Sequence, residues 1–172
     1  WIETEPYAAD DLRKYISRLC SNLQNGLGER ESDTVFGRTF SVLFLAEVIH
    51  RNNQKPYLES HEVTDVLDQV LNYLAAERDP RGFVGKKGWA HALAHTADML
   101  MVFVRSPHMD GPDLLRILES ISTKLKTVTD WVYVHGEDDR LARAVATIFN
   151  RDKLSLNEIK AWLDGCISGW QG

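Results

Sequence analysis

Apolar residues recur at helical spacing along almost the whole chain, and alternation of apolar and polar residues is nearly absent. In the first such segment the apolar positions follow i, i+3, i+4, i+7, i+8 and i+11: Leu12, Tyr15, Ile16, Leu19, Cys20 and Leu23. This spacing places them on one face of an α-helix, whereas a half-buried strand would show a period of two. The pattern therefore predicts an all-α fold.

Breakers and capping residues divide the pattern into successive helices. The predicted helices cover 8–25 and 33–51, then a segment starting at 60, then 89–105, a segment starting at 112, 137–150, and a segment starting at 155. The stretch 127–136 is β-prone but isolated, so we expect an extended connection there. Consecutive helices pair into hairpins of about 45 residues, which favours stacked antiparallel hairpins in a HEAT-like α-α superhelix. A closed helical bundle is the alternative, because helix number alone does not separate the two.

The 172 residues fit one domain, and we expect residues 1–172 to form a single all-α unit. The chain opens with Trp1-Ile2 followed by polar residues, which looks like the end of an earlier helix. We therefore expect an N-terminal helical region to be missing.

Charge and cysteine usage exclude several classes of function. Lys and Arg total 20 against 25 Asp and Glu, which argues against nucleic-acid binding because that requires a basic face. No apolar run approaches the roughly 20 residues of a membrane-spanning helix, so no membrane partner is expected. Cys20 and Cys166, the two cysteines, have no CxxC or Cys/His spacing. They are expected to be buried free thiols of a cytoplasmic protein.

The fourth predicted helix carries His91, His95 and Asp98 at i, i+4 and i+7, hence on one face. Helical zinc sites use this two-histidine spacing, but Ala92 occupies the position of the usual glutamate. Asp98 also lies about 10 Å along the axis from His91. We therefore expect no metal and no cofactor, with His91 and His95 the remaining metal-ligand candidates. A hydrogen-bonded structural network and a metal-free ligand pocket are the two alternatives.

The loop before that helix contains features of an anion cradle. Glycines free its backbone to turn, cationic side chains add positive charge, and a helix N-terminus follows. The glycines are Gly82, Gly85 and Gly88, and the cations are Arg81, Lys86 and Lys87. The alternative is a tight, solvated loop between helices.

An acidic run opens the sixth predicted helix. Glu137, Asp138 and Asp139 stand in its first turn, where carboxylates oppose the helix dipole favourably. Alternatively, Glu137 or Asp138 faces His95 and tunes its pKa for acid–base chemistry. His95, Glu137 and Asp138 are therefore the candidate catalytic residues.

Four motifs together resemble one bacterial family, called domain of unknown function 2785, across nearly the whole chain. They are SDTVFGRTFS at 32–41, DPRG at 79–82, GWAHALAHTAD at 88–98 and EDDRLA at 137–142. The resemblance implies a cytoplasmic protein, usually from a Gram-positive bacterium, with a longer N-terminal helical region. It brings no activity, and it adds Arg38, Asp79, Arg81 and Trp89 to the candidate residues without roles.

The leading hypothesis is a polar concavity that binds a small molecule, an anion or a protein segment. Arg38 and Arg81 would make bidentate anion contacts, and Trp89 would form a flat apolar wall. The candidate ligand-binding residues are Arg38, Asp79, Arg81, Trp89, His91, His95, Asp98, Glu137, Asp138 and Arg140. One alternative is a metal-dependent or histidine-based hydrolase or lyase with His95 as general base. Another is a protein–protein scaffold with a purely structural polar network.

Overall fold

The computed structural model describes residues 7–128 and 130–168. The α-helices of this part are α1 (Ala9–Asn22), α2 (Thr34–Gln54), α3 (Ser60–Ala76), α4 (Ala92–Arg105), α5 (Gly111–Thr127), α6 (Glu137–Phe149) and α7 (Leu156–Ser168). Within these residues no strand forms, and the all-α prediction is confirmed. The expected helix end at Trp1-Ile2 lies outside the described residues. None of the described helices combines the length and the apolar content that crossing a membrane requires.

Helices two apart in the sequence lie side by side and form two rows. One row is α2–α4–α6, which makes the most extensive helix–helix contacts, and the other is α3–α5–α7. The first helix, α1, packs mainly on α2 and also touches α3. Stacked hairpins require this order, and the HEAT-like superhelix stays a prediction.

The middle helix of the first row, α4, is the most deeply buried element around the site. Four of its apolar side chains pack into the core: Leu93, Ala97, Leu100 and Val104. The small residues Ala92 and Ala94 are buried as well, so α2 and α6 approach α4 closely on two sides. This packing holds the polar edge of α4 between its two neighbours.

The two cysteines differ in burial. Cys20 is buried on the inner face of α1 beside Leu12 and Ile16, and burial raises the pKa of its thiol to about 11. Cys166 is only half-buried, which corrects the expectation of two buried thiols. The reason lies in α7, in which no described side chain is fully buried.

The fourth helix starts three residues later than the prediction of Trp89, because the preceding turn has its own hydrogen bonds. Backbone N–H groups across the turn donate from Val84 to Gly88, from Ala90 to Gly82 and from His91 to Arg81. Phe83 and Trp89 pair as an isolated antiparallel bridge. Because these bonds close a turn that contains a short 3-10 helix at Gly85–Lys87, the α-helix begins only at Ala92, with His91 as its N-cap residue.

Candidate functional site

A continuous series of rings connects the 82–91 turn with α4 and α2. Ring centroids lie 4.4 Å apart between Trp89 and His91, 5.8 Å between His91 and His95, and 5.6 Å between His95 and Phe40. Phe83 and His135 flank Trp89 at 5.0 and 5.2 Å. We call this set the ring cluster: Phe40, Phe83, Trp89, His91, His95 and His135.

The position of His91 depends on an unusual backbone conformation. Its φ of 52° lies in the left-handed region, which residues with a side chain seldom adopt. The predicted helical i, i+4 pairing with His95 is therefore wrong in detail, because His91 precedes the helix. Its ring still reaches His95 from the N-cap, and it stacks on Trp89 with an interplanar angle of 33°.

The cluster is apolar and open at its rim but polar and closed at its centre. Trp89 is 44% exposed and Phe83 53%, whereas His91 and His95 are only 7% and 8% exposed. The Nε2 atom of His91 and the Nδ1 atom of His95 are shielded from solvent and have no hydrogen-bond partner. Buried polar atoms are nearly always paired, so these two nitrogens are exceptions to that rule.

Glu137, the first residue of α6, is buried against His91. Its Oε1 lies 3.5 Å from Nε2 of His91, and its Oε2 accepts a hydrogen bond of 2.9 Å from the backbone N–H of His135. The expected pairing of Glu137 with His95 is therefore corrected to His91. A separation of 3.5 Å is long for a hydrogen bond, and the contact is an ion pair only when His91 is protonated.

Both central imidazoles favour the neutral form. Burial lowers the pKa of His91, and the nearby Glu137 carboxylate opposes that effect only in part. Burial also lowers the pKa of His95, and the neighbouring His91 adds to the decrease. A neutral imidazole offers one donor and one acceptor nitrogen, so the centre can both give and accept a hydrogen bond.

A half-exposed ion pair borders the cluster. Nη1 of Arg140 on α6 lies 2.5 Å from Oδ2 of Asp98 on α4, and both side chains are about two-fifths exposed. Their charges act on His95 in opposite directions, so the pair lies within electrostatic reach of the ring. The pair connects α4 to α6 and supplies polar atoms at the open edge.

The Arg38 side chain lies in the interior of the fold and not in the ligand-binding position expected from the sequence. Its side chain is fully buried, and Nε donates to Glu77 Oε2 at 2.6 Å while Nη2 donates to Oε1 at 3.1 Å. Its Nη1 donates to the carbonyl oxygens of Asn25 and Gly26. The predicted anion contact is therefore corrected: this guanidinium joins α2 to the ends of α1 and α3.

Asp79 and Arg81 also face each other. Both carboxylate oxygens of Asp79 accept hydrogen bonds from Arg81, and Oδ2 also accepts the backbone N–H of Glu31 at 3.0 Å. Lys87 of the same loop pairs with Asp33 at 2.6 Å. Because these cations are paired within the chain, the loop corresponds to the alternative of a tight interhelical connection rather than an anion cradle.

Asp138 lies away from the ring cluster. It is exposed in the first turn of α6 and lines a groove between α5, α6 and α7. Adjacent helical residues point about 100° apart, so Glu137 and Asp138 cannot both face the imidazoles. Asp138 is therefore wrong as a partner of His95.

No metal arrangement is found in the described part of the chain. Among residues 7–128 and 130–168, no three His, Cys, Asp or Glu side chains are placed to hold one ion.

Three members of the cluster were not among the predicted site residues: Phe40, Phe83 and His135. Phe83 and Trp89 flank a glycine-rich turn, a recognisable hairpin signal that would have brought them together. His135 packs onto Gly82, where an added Cβ would lie 2.3 Å from its Nδ1. No local sequence pattern predicts that contact, because it joins segments more than fifty residues apart.

Comparisons with known proteins place the chain in a family. No match was found among curated proteins or among solved structures. A family model described as "Protein of unknown function (DUF2785)" matches residues 23–170, which include every residue of the ring cluster. The resemblance drawn from the four motifs is thereby confirmed. The chain belongs to the DUF2785 family of proteins of unknown function.

Proposed function

We propose that the ring cluster is a binding site for a ligand that combines a flat apolar group with a hydrogen-bonding group. The observation that carries this proposal is the exposed rim of Trp89, Phe83 and Phe40 around two shielded, unpartnered imidazole nitrogens. Exposed aromatic rings beside a few convergent polar atoms are typical of binding sites.

The polar atoms of the site define what the ligand must carry. His91 and His95 each bring one unpartnered nitrogen, and Asp98 and Arg140 bring opposite charges at the edge. The guanidinium groups of Arg38 and Arg81 face carboxylates of their own chain. A net negative charge on the ligand is therefore not required.

Either a small molecule or an aromatic side chain of a protein segment offers this chemistry. The affinities for indole and N-acetyl-L-tryptophanamide distinguish these two kinds of ligand, because only N-acetyl-L-tryptophanamide carries peptide groups. A protein-segment ligand predicts tighter binding of the amide, and a small planar ligand predicts equal affinities. We place this binding in the cytosol, supported by the buried Cys20 thiol and by the resemblance.

The test is a titration with N-acetyl-L-tryptophanamide, followed by proton–carbon NMR of the imidazole rings. We expect saturable shifts of the His91 and His95 signals in the native chain and their loss in Trp89→Ala. Trp131→Ala is the matched control, because Trp131 is 38% exposed and lies outside the cluster. Absence of saturable shifts, or equal effects of the two substitutions, would overturn the proposal.

The contact between His91 and Glu137 favours a second candidate, a histidine-based hydrolase. A neutral imidazole oriented by a buried carboxylate is the arrangement of a general base. Hydrolysis of p-nitrophenyl acetate tests it, with His61→Gln as control because His61 is exposed on α3. Catalysis by His91 predicts that His91→Gln loses most of the rate, whereas the binding proposal predicts similar rates for both variants.

A further inference from the structure

A groove lies between α5, α6 and α7 and shares no residue with the ring cluster. The cavity volume of this groove is about 380 Å³, which is within the size range of small-molecule sites. Its lining is mainly apolar: Ile121, Leu125, Leu141, Val145, Phe149 and Trp162. We call it the α5–α7 groove.

The groove exists because α7 does not close onto its neighbours. No described side chain of α7 is fully buried, although Trp162 contacts Phe149 edge-to-face at a centroid distance of 5.9 Å. On α6 the facing residues include Ala142 and Ala146, whose small side chains leave the space unfilled.

Two polar features limit what can fill it. The indole N–H of Trp162 is shielded from solvent and has no hydrogen-bond partner. Lys126 and Asp138 stand in the lining with opposite charges, and Nζ of Lys126 donates to the carbonyl oxygen of Gly165 at 2.8 Å. The charges favour neither an anion nor a cation, whereas the indole requires an acceptor.

We propose that the α5–α7 groove binds a neutral, mainly apolar small molecule whose carbonyl oxygen accepts a hydrogen bond from Nε1 of Trp162. A helix of a partner protein fits less well, because a helix with its side chains is about 10 Å wide. The volume, the apolar lining and the unpartnered donor together define one compact occupant.

The experiment compares two probes of nearly the same shape by fluorine NMR. Para-fluoroacetophenone carries the carbonyl, and para-fluoroethylbenzene replaces it by a methylene group. We expect both to bind the full chain and to show contacts with the Val145 methyl groups. Trp162→Phe keeps a ring but removes the N–H, so it should weaken the ketone roughly three- to tenfold and leave the hydrocarbon nearly unchanged.

Substitutions that fill the groove provide a second test of the proposal. Ala146→Phe and Ala142→Phe start from exposed positions in the lining and should abolish binding of both probes. Ala161→Phe, exposed on α7 and outside the groove, is the matched control and should bind normally. Circular dichroism and melting temperature verify that each variant is folded.

Three results would overturn this proposal. They are absence of binding by either probe to the native chain, binding that survives both groove-filling substitutions, and an equal effect of Trp162→Phe on ketone and hydrocarbon. None of these results bears on the ring cluster, which shares no lining residue with the groove.

Discussion

Arg38 of α2 carries a positive charge inside the fold. Its guanidinium is wholly buried and donates to Glu77 and to two carbonyl oxygens at the end of α1. The sequence shows the cation within a motif, but its partner lies 39 residues further along the chain. No local spacing predicts that contact, because only the fold brings the two segments together.

Replacing Arg38 should therefore destabilise the fold. Arg38→Met leaves the Glu77 carboxylate buried without its partner, and we expect a loss of about 3–5 kcal/mol in the free energy of unfolding. Urea denaturation measures it. Arg140→Ala is the control, because its ion pair with Asp98 is half-exposed and should contribute under about 1 kcal/mol. Similar losses in both variants would contradict the structural role of Arg38.

The buried imidazoles make stability depend on pH. Burial lowers the pKa of His91 and His95 below the ordinary value of 6.5. Below pH 6.5 the unfolded chain therefore takes up protons that the native chain does not, and the free energy of unfolding falls as pH falls. Paired carboxylates affect stability at lower pH. A hydrogen bond from Arg13 holds the pKa of Glu62 at about 2, so the stability that this carboxylate contributes is lost only as pH falls below its ordinary pKa of 4.5.

The double variant His91→Gln/His95→Gln tests this dependence. Between pH 7 and 5.5 it should lose less unfolding free energy than the native chain, by at most about 1.4 kcal/mol per pH unit for each imidazole removed. Chemical denaturation at several pH values measures the difference. Parallel pH profiles for the two proteins would show that the imidazoles do not titrate as proposed.

At the scale of elements, the period of apolar residues predicts where the helices lie. It predicts their first and last residues less well. The apolar face of α1 is buried at Leu12, Ile16, Cys20 and Leu23 as predicted, although Tyr15 on the same stretch is 53% exposed. The start of α4 could not be predicted in the same way. Its position follows from hydrogen bonds across the 82–91 turn, which periodicity does not report.

Two glycines should respond in opposite directions to alanine. Gly37 lies exposed within α2 and has open space around it, so Gly37→Ala should stabilise the fold by roughly 0.5–1 kcal/mol through helix propensity. Gly88 has a φ of 84°, so Gly88→Ala should cost about 1–2 kcal/mol. Thermal and urea unfolding show whether each substitution raises or lowers the free energy of unfolding. Stabilisation by Gly88→Ala would contradict the described turn.

At the scale of the molecule, the two rows of helices bring distant segments to one place. The ring cluster takes Phe40 from α2, His95 from α4 and His135 from the segment before α6. The sequence identified the segments around Trp89, His91, His95 and Glu137 as important, since each has unusual local chemistry. It could not show which of them meet, because the order of helices in the row decides that.

The last helix should be the first to open. Ten residues of α4 are buried, whereas the described side chains of α7 include none that are fully buried. Local stability follows buried apolar contacts, so we expect α7 amides to exchange with solvent by local opening, well before those of α4. Native-state hydrogen exchange followed by NMR measures the two rates. Equal protection of α7 and α4 would contradict the loose packing that leaves the α5–α7 groove.

We propose that Trp89, the imidazole pair and Glu137 converge into one binding surface. A crystal structure of the chain with N-acetyl-L-tryptophanamide tests it most directly. We predict the probe's indole against Trp89 and Phe83, with a polar atom of the probe within hydrogen-bond distance of His91 Nε2 or His95 Nδ1. A probe bound elsewhere, or imidazoles pointing into bulk solvent away from Trp89 and Glu137, would contradict the proposed binding surface.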